Sequence, residues 1–134
     1  MNNLAGSLIR NFEIKPDKVC LVQEGQKITY KNLYEKVVAF KHVMKEKGIT
    51  KGSKVLVLVP MSIELYVTLF AIWSIGAIAC FMDAGFIKNG MKNNEFNEID
   101  CIIGISKYLI YSNINKNIRK LKKINVNMIK NLKK

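Results

Sequence analysis

Apolar positions recur along this chain with two different periods, and the alternation between them lays out its elements. Leu33, Val37, Phe40 and Met44 fall at spacings of four, three and four, with Tyr34 and Val38 widening the stripe. Lys31, Lys36, Lys41 and Lys45 lie mostly off it. This predicts an amphipathic helix, opened by the Thr29 hydroxyl as N-cap and stopped at Gly48, whose left-handed freedom suits a helix end. Val55-Leu56-Val57-Leu58-Val59 is instead apolar at every position and rich in β-branched side chains, as a central parallel strand covered on both faces requires. Pro60 ends that strand.

The remaining elements follow the same reading. Leu4, Leu8 and Phe12 share one face of a short helix over residues 3–11, broken by Pro16-Asp17. Residues 19–23 and 26–30 flank Glu24-Gly25 as two short strands on a tight turn. Ser62 caps a helix over 63–75 that is apolar almost all round and therefore buried, and Gly76 stops it. Residues 77–82 then read as a second buried strand, Asp83-Ala84-Gly85 as a turn, and a poorly patterned helix falls between 88 and 98. Residues 101–105 form a third buried strand, after which Ser106 caps a last helix. Strands alternating with helices predict an α/β fold with a Rossmann-like, mostly parallel sheet.

Charge separates the chain into two parts. Of the net +12, residues 113–134 hold eight basic side chains and no acidic one, leaving a net +4 on residues 1–112. The expected organisation is one domain over 1–112 and a basic Asn/Lys/Ile-rich tail over 113–134. Ile114, Ile118, Leu121, Met128 and Leu132 fall on one helical stripe, with Asn125 at the skipped position, so the tail reads as an amphipathic basic helix. Such a segment could attract nucleic acid or anionic membrane. However, 17 of its 22 residues are Asn, Lys or Ile, which a coding bias towards AT-rich codons also produces. It carries no aromatic residue for base stacking, so no specific nucleic-acid binding is expected.

Residues 65–82 contain no charge over 18 positions, long enough to raise a membrane span. Glu64 and Pro60 block its extension, and Gly76 divides it into a helix-like and a strand-like half, so no span is expected. Residues 1–10 lack the basic start and apolar block of a secretory signal. Cys20, Cys80 and Cys101 are unclustered and odd in number, which points to free thiols in a reducing cytoplasm.

Candidate chemistry is sparse. Asp83, beyond the carboxyl end of a strand, stands where parallel sheets bind ligands, although an Asx turn or helix cap is the more ordinary reading. Gly85 and Gly90 have the spacing of a phosphate loop, but Met91 occupies its lysine position, Lys92 comes one residue late and Asn93 follows. His42 is off its helix stripe and reads as a surface residue. No GxSxG, HExxH, GxGxxG or paired-carboxylate pattern is present, and no catalytic, cofactor-binding or metal residue is assigned.

The order of features resembles a family. Ile28-Thr29-Tyr30 with Leu33, then Gly48, then Lys51-Gly52-Ser53-Lys54-Val55, then Pro60-Met61-Ser62, Glu64-Leu65, Ala71 and Gly76-Ala77, is similar to the N-terminal part of AMP-forming acyl-CoA synthetases and adenylation domains. The likeness covers residues 4–110. Ser53 stands where the family usually has Asp, Met61 where it has Asn, and Phe81 near a frequent proline. Met82-Asp83-Ala84-Gly85 and Ile103-Gly104-Ile105-Ser106-Lys107 look closer to the branch with olefin β-lactone synthetases and fatty acid ligases. The resemblance implies ATP-dependent activation of a carboxylic acid to an acyl-adenylate and then acyl-CoA, with ATP, magnesium and coenzyme A as cofactors of the complete enzyme. The family's phosphate loop, adenine motif, ribose-binding Asp and mobile lysine have no counterpart here, which implies a catalytically incomplete fragment. Its expected partners are a second copy or the remainder of a ligase. The alternative is a small basic binding module for nucleic acid or anionic membrane.

Overall fold

A computed structural model of the protein describes residues 3–82, 98–114 and 121–131. Helix α1, Leu4–Ile14, begins at Asn3, whose side-chain oxygen accepts the Ala5 amide at 2.9 Å. It runs to Ile14, past the expected end at residue 11, and stops because Lys15 precedes Pro16 and is forced out of helical geometry. Strands β1, Val19–Gln23, and β2, Gln26–Thr29, pair antiparallel across Glu24 and Gly25, both at positive φ as a two-residue hairpin turn demands. Helix α2, Tyr30–Glu46, is capped by the Thr29 hydroxyl, which accepts from Asn32 N at 3.1 Å, and buries the stripe Leu33, Val37, Phe40 and Met44.

The larger sheet is parallel throughout. Its strands are β3, Lys54–Leu58; β4, Ile78–Phe81; β5, Cys101–Gly104; and β6, Lys122–Asn125, in the order β4-β3-β5-β6. Helix α3, Ile63–Ile75, joins β3 to β4, and helix α4, Ser106–Ile114, lies between β5 and β6. The chain moves one way across the sheet from β3 to β4 and the other way from β5 to β6. Crossovers of one hand running in opposite directions put their helices on opposite faces. Val55, Val57, Cys101, Ile103 and Ile124 accordingly pack in the core that holds α2 and α3, while Leu56, Leu58 and Ile102 pack with Tyr108 and Leu109 of α4. Full burial of each large side chain contributes about 1.5–3 kcal/mol. Gly104 lets β5 sit close to β3: a Cβ there would meet Leu58 Cβ and O at 3.1 Å.

Three expectations are corrected. Residues 122–125 are strand, not part of a helical tail, because pairing with β5 places Ile124 opposite Ile103 and buries it to 2% exposure. A 3-10 turn, Val126–Asn131, follows and buries Val126 and Ile129 beside it, and the Lys36 ammonium donates to the Ile129 carbonyl at 3.3 Å. Strand β4 is not fully buried: Ile78 and Phe81 are exposed, since among the described residues β4 is the edge of the sheet. Ser106 is the first residue of α4 rather than its cap. The Ile105 carbonyl accepts the first helical amides, from Tyr108 and Leu109, while the Ser106 hydroxyl accepts from Asn125 Nδ2 at 2.8 Å. The helix expected between 88 and 98 lies almost wholly outside the described residues.

Candidate functional site at the carboxyl end of the sheet

The reversal of chain direction between β3 and β5 leaves a crevice beyond their carboxyl ends, the position where open α/β sheets bind ligands. A cleft of about 200 Å³ lies there. Val59, Pro60 and Met61 reach it from the end of β3, Ile105 from β5, and Asn127 and Lys130 from the turn after β6. Gln23, at the end of β1, and Ser62 and Glu64, at the start of α3, close the wall.

The first turn of α3 points its amides toward this end, and protein groups occupy several of them. Gln23 Oε1 accepts from Ile63 N at 2.8 Å, and Ser62 Oγ accepts from Leu65 N at 3.1 Å while donating to the Pro60 carbonyl at 2.8 Å. Both capacities of the Ser62 hydroxyl are thus used for capping, and it is no activated nucleophile. Among the described residues, Glu64 and Lys130 supply the only ionisable side chains of the lining. The cleft is smaller than the about 300–1,000 Å³ of typical small-molecule sites. Among the described residues no three of His, Cys, Asp and Glu come together to hold a metal ion. This lining does not fit a magnesium–triphosphate group.

Asp83, Gly85, Gly90 and Lys92 lie outside the described residues. His42 is exposed on α2, as its position off the stripe requires. The three cysteines are free. Cys101 is buried, and desolvation raises its thiol to about 11, so it is a core residue rather than a nucleophile. Burial also raises the thiol of Cys20, whose Sγ donates to the Ile28 carbonyl at 3.4 Å. Lys54 and Glu98 form an exposed ion pair that raises the lysine and lowers the carboxylate from their ordinary values. No helix among the described residues is long and apolar enough to cross a membrane. Gln23, Asn127 and Lys130 were not identifiable as site residues from the sequence, because long-range pairing brings them to the crevice and no local motif marks them.

A doubly wound parallel sheet with an N-terminal hairpin and a crevice at its switch point is the framework of a nucleotide-handling α/β protein. The profile of the AMP-binding enzyme family matches residues 8–93, and the chain belongs to that family, as the N-terminal part of an adenylate-forming ligase. It is 34% identical to the acetyl-coenzyme A synthetase of Desulfatibacillum aliphaticivorans over 112 residues, 79% of this chain and 17% of that protein. It is 36% identical to the acetyl-coenzyme A synthetase of Brucella canis over 98 residues, 69% of this chain and 15% of that protein. The chain thus spans about a sixth of the length of these curated relatives. Among solved structures, o-succinylbenzoate CoA synthetase of Bacillus subtilis in complex with its acyl-adenylate intermediate aligns with a TM-score of 0.76 at 14% identity, covering 94% of this chain and 25% of that one. The N-terminal subdomain of NpsA from Klebsiella oxytoca aligns with a TM-score of 0.69 at 19% identity, covering 98% of this chain and 33% of that one. These structural likenesses carry the fold.

Proposed function

We propose that the chain is the N-terminal scaffold of an ATP-dependent carboxylate–CoA ligase and is chemically silent by itself. The observation that carries this reading is the mismatch of extents: 79% of the chain aligns with an acetyl-coenzyme A synthetase, but only 17% of that enzyme is represented. Adenylation holds a carboxylate against the α-phosphate while negative charge builds up, and the loss of one placed donor costs about 2.7–4 kcal/mol. Among the described residues the crevice supplies Lys130 as its single cation, far short of that requirement. What it offers instead is surface: Met61 and Phe81, 74% and 63% exposed, stand at the carboxyl ends of adjacent strands and suit contact with the remainder of a ligase. Where the chain stands by itself, a second copy is the partner expected to cover them. The three free thiols suit a reducing cytoplasm, which supports that location for the working protein.

The test is pyrophosphate exchange with ATP, magnesium and a panel of short-chain, fatty and aryl acids. The chain alone should match a heat-killed control, and calorimetry should detect no ATP binding. Exchange above that control would overturn the reading. Co-expression with the complementary segment of the Desulfatibacillum enzyme should yield exchange that neither piece shows separately.

A further inference from the structure

We propose that the pocket beneath α1 is a binding site for a small, uncharged aromatic molecule, separate from the crevice and independent of the ligase reading. The pocket is a half-open hollow of about 240 Å³ lined by residues of α1, β1, α2 and α3. An apolar cavity of about 150 Å³ already accepts benzene, so this one has room for one substituted ring.

Its walls define the ligand class. Tyr30, Tyr66 and Phe70 bring three rings to the lining, and Leu8, Leu21 and Leu33 fill in between them. Rings prefer offset or edge-on contact with other rings, so a flat aromatic guest gains more here than an aliphatic chain of equal area. Among the described residues no charged side chain lines the pocket, so a charged guest would lose its hydration without a counter-charge. The Lys15 ammonium, 5.7 Å from the Tyr30 ring centroid, further disfavours a cation.

The walls are also held in place without a guest. Asn3 Nδ2 donates to the Trp73 carbonyl at 2.9 Å at one end of α1, and the Phe12 and Tyr34 rings stack at 4.3 Å nearer the other. The connection below α1 is tied to α2 by Tyr30 N to Lys18 O at 3.0 Å and Lys31 N to Pro16 O at 2.9 Å. A packing gap held open on both sides does not collapse, and a guest that enters it meets a preformed shape.

Trp73 is the only tryptophan and meets the Phe70 ring edge-on at 5.7 Å, so its fluorescence reports on the pocket wall. The full chain is titrated with toluene, exciting at 295 nm, and followed in parallel by amide chemical-shift mapping. The expected result is a saturable Trp73 response, with shifts confined to α1, β1, the Tyr30–Leu33 turn of α2 and the Tyr66–Phe70 turn of α3. Ser7→Phe, at an exposed position of the lining, should plug the mouth and weaken toluene at least tenfold while leaving the far-ultraviolet spectrum unchanged. Hexane should bind more weakly than toluene. A linear, unsaturable response, shifts scattered over the surface, equal affinity for hexane, or undiminished binding to folded Ser7→Phe would each overturn the proposal.

Discussion

Replacing Ile124 by Ala asks whether residues 122–131 are part of the core or a solvated tail. Ile124 is 2% exposed, sits opposite Ile103 in the parallel ladder, and packs in the core shared with α2 and α3. The substitution removes three side-chain carbons, at about 0.8 kcal/mol each, or about 2.4 kcal/mol from transfer alone. Partial relaxation around the hole adds to this and brings the expected loss to about 3–4 kcal/mol. A domain of this size has only about 5–15 kcal/mol in total. Urea unfolding followed by Trp73 fluorescence, with a slope of about 1–3 kcal/mol per molar, should show the midpoint falling by about 1–4 M. Ile110→Ala serves as the control: Ile110 is 60% exposed on α4 and should change stability by no more than about 0.5 kcal/mol. Equal midpoints for the two variants would refute the placement of β6 in the sheet.

Other expectations concern the ends of α3, the buried thiol and the assembly state. Ser62→Ala removes the acceptor of the Leu65 amide and should cost about 1 kcal/mol in urea melts. Gly76→Ala should cost about 1–2 kcal/mol, since Gly76 has φ +82° and its added Cβ would press on Lys51 Cγ at 3.2 Å. Cys101 has a folded thiol pKa of about 11 against an ordinary 9.0, so between those values the unfolded chain releases the proton first. Its contribution is therefore whole below about pH 9 and lost as pH rises towards 11, and Cys101→Ala should flatten that alkaline decline in melts compared across the window. Light scattering at high micromolar concentration should show a mass above the monomer, with a clean monomer counting against the exposed carboxyl end as a contact surface.

Legibility in the sequence followed the range of the forces involved. The Asn3–Ile14 region, the Glu24-Gly25 turn, the Thr29 and Ser62 caps and the Gly76 stop all rest on groups a few residues apart, and each could be read locally. The Val55–Val59 run announced a central strand because burial on both faces leaves no polar position. β6 was not legible. Lys122-Lys123-Ile124-Asn125 has one apolar residue and becomes strand only through its pairing with β5, while the surrounding isoleucines happen to fall at helical spacing. The crevice was foreseeable in location, from the rule for parallel sheets, but not in membership. Gln23 arrives from the hairpin and Lys130 from the terminal turn, each more than 30 positions from the α3 cap they join.

The strand order also sets a timetable for synthesis. β3 is made early, and its neighbour β4 follows within one helix, but β5 on its other flank is more than 40 residues away and β6 later still. At about 5–20 residues per second, the stretch from Leu58 to Gly104 takes about 2–9 s to translate. Throughout that interval the ribosome carries a nascent chain whose most apolar strand has one side unmated. The first half of the polypeptide is consequently a natural client for chaperones, and slow codons placed before residue 101 would lengthen its exposure.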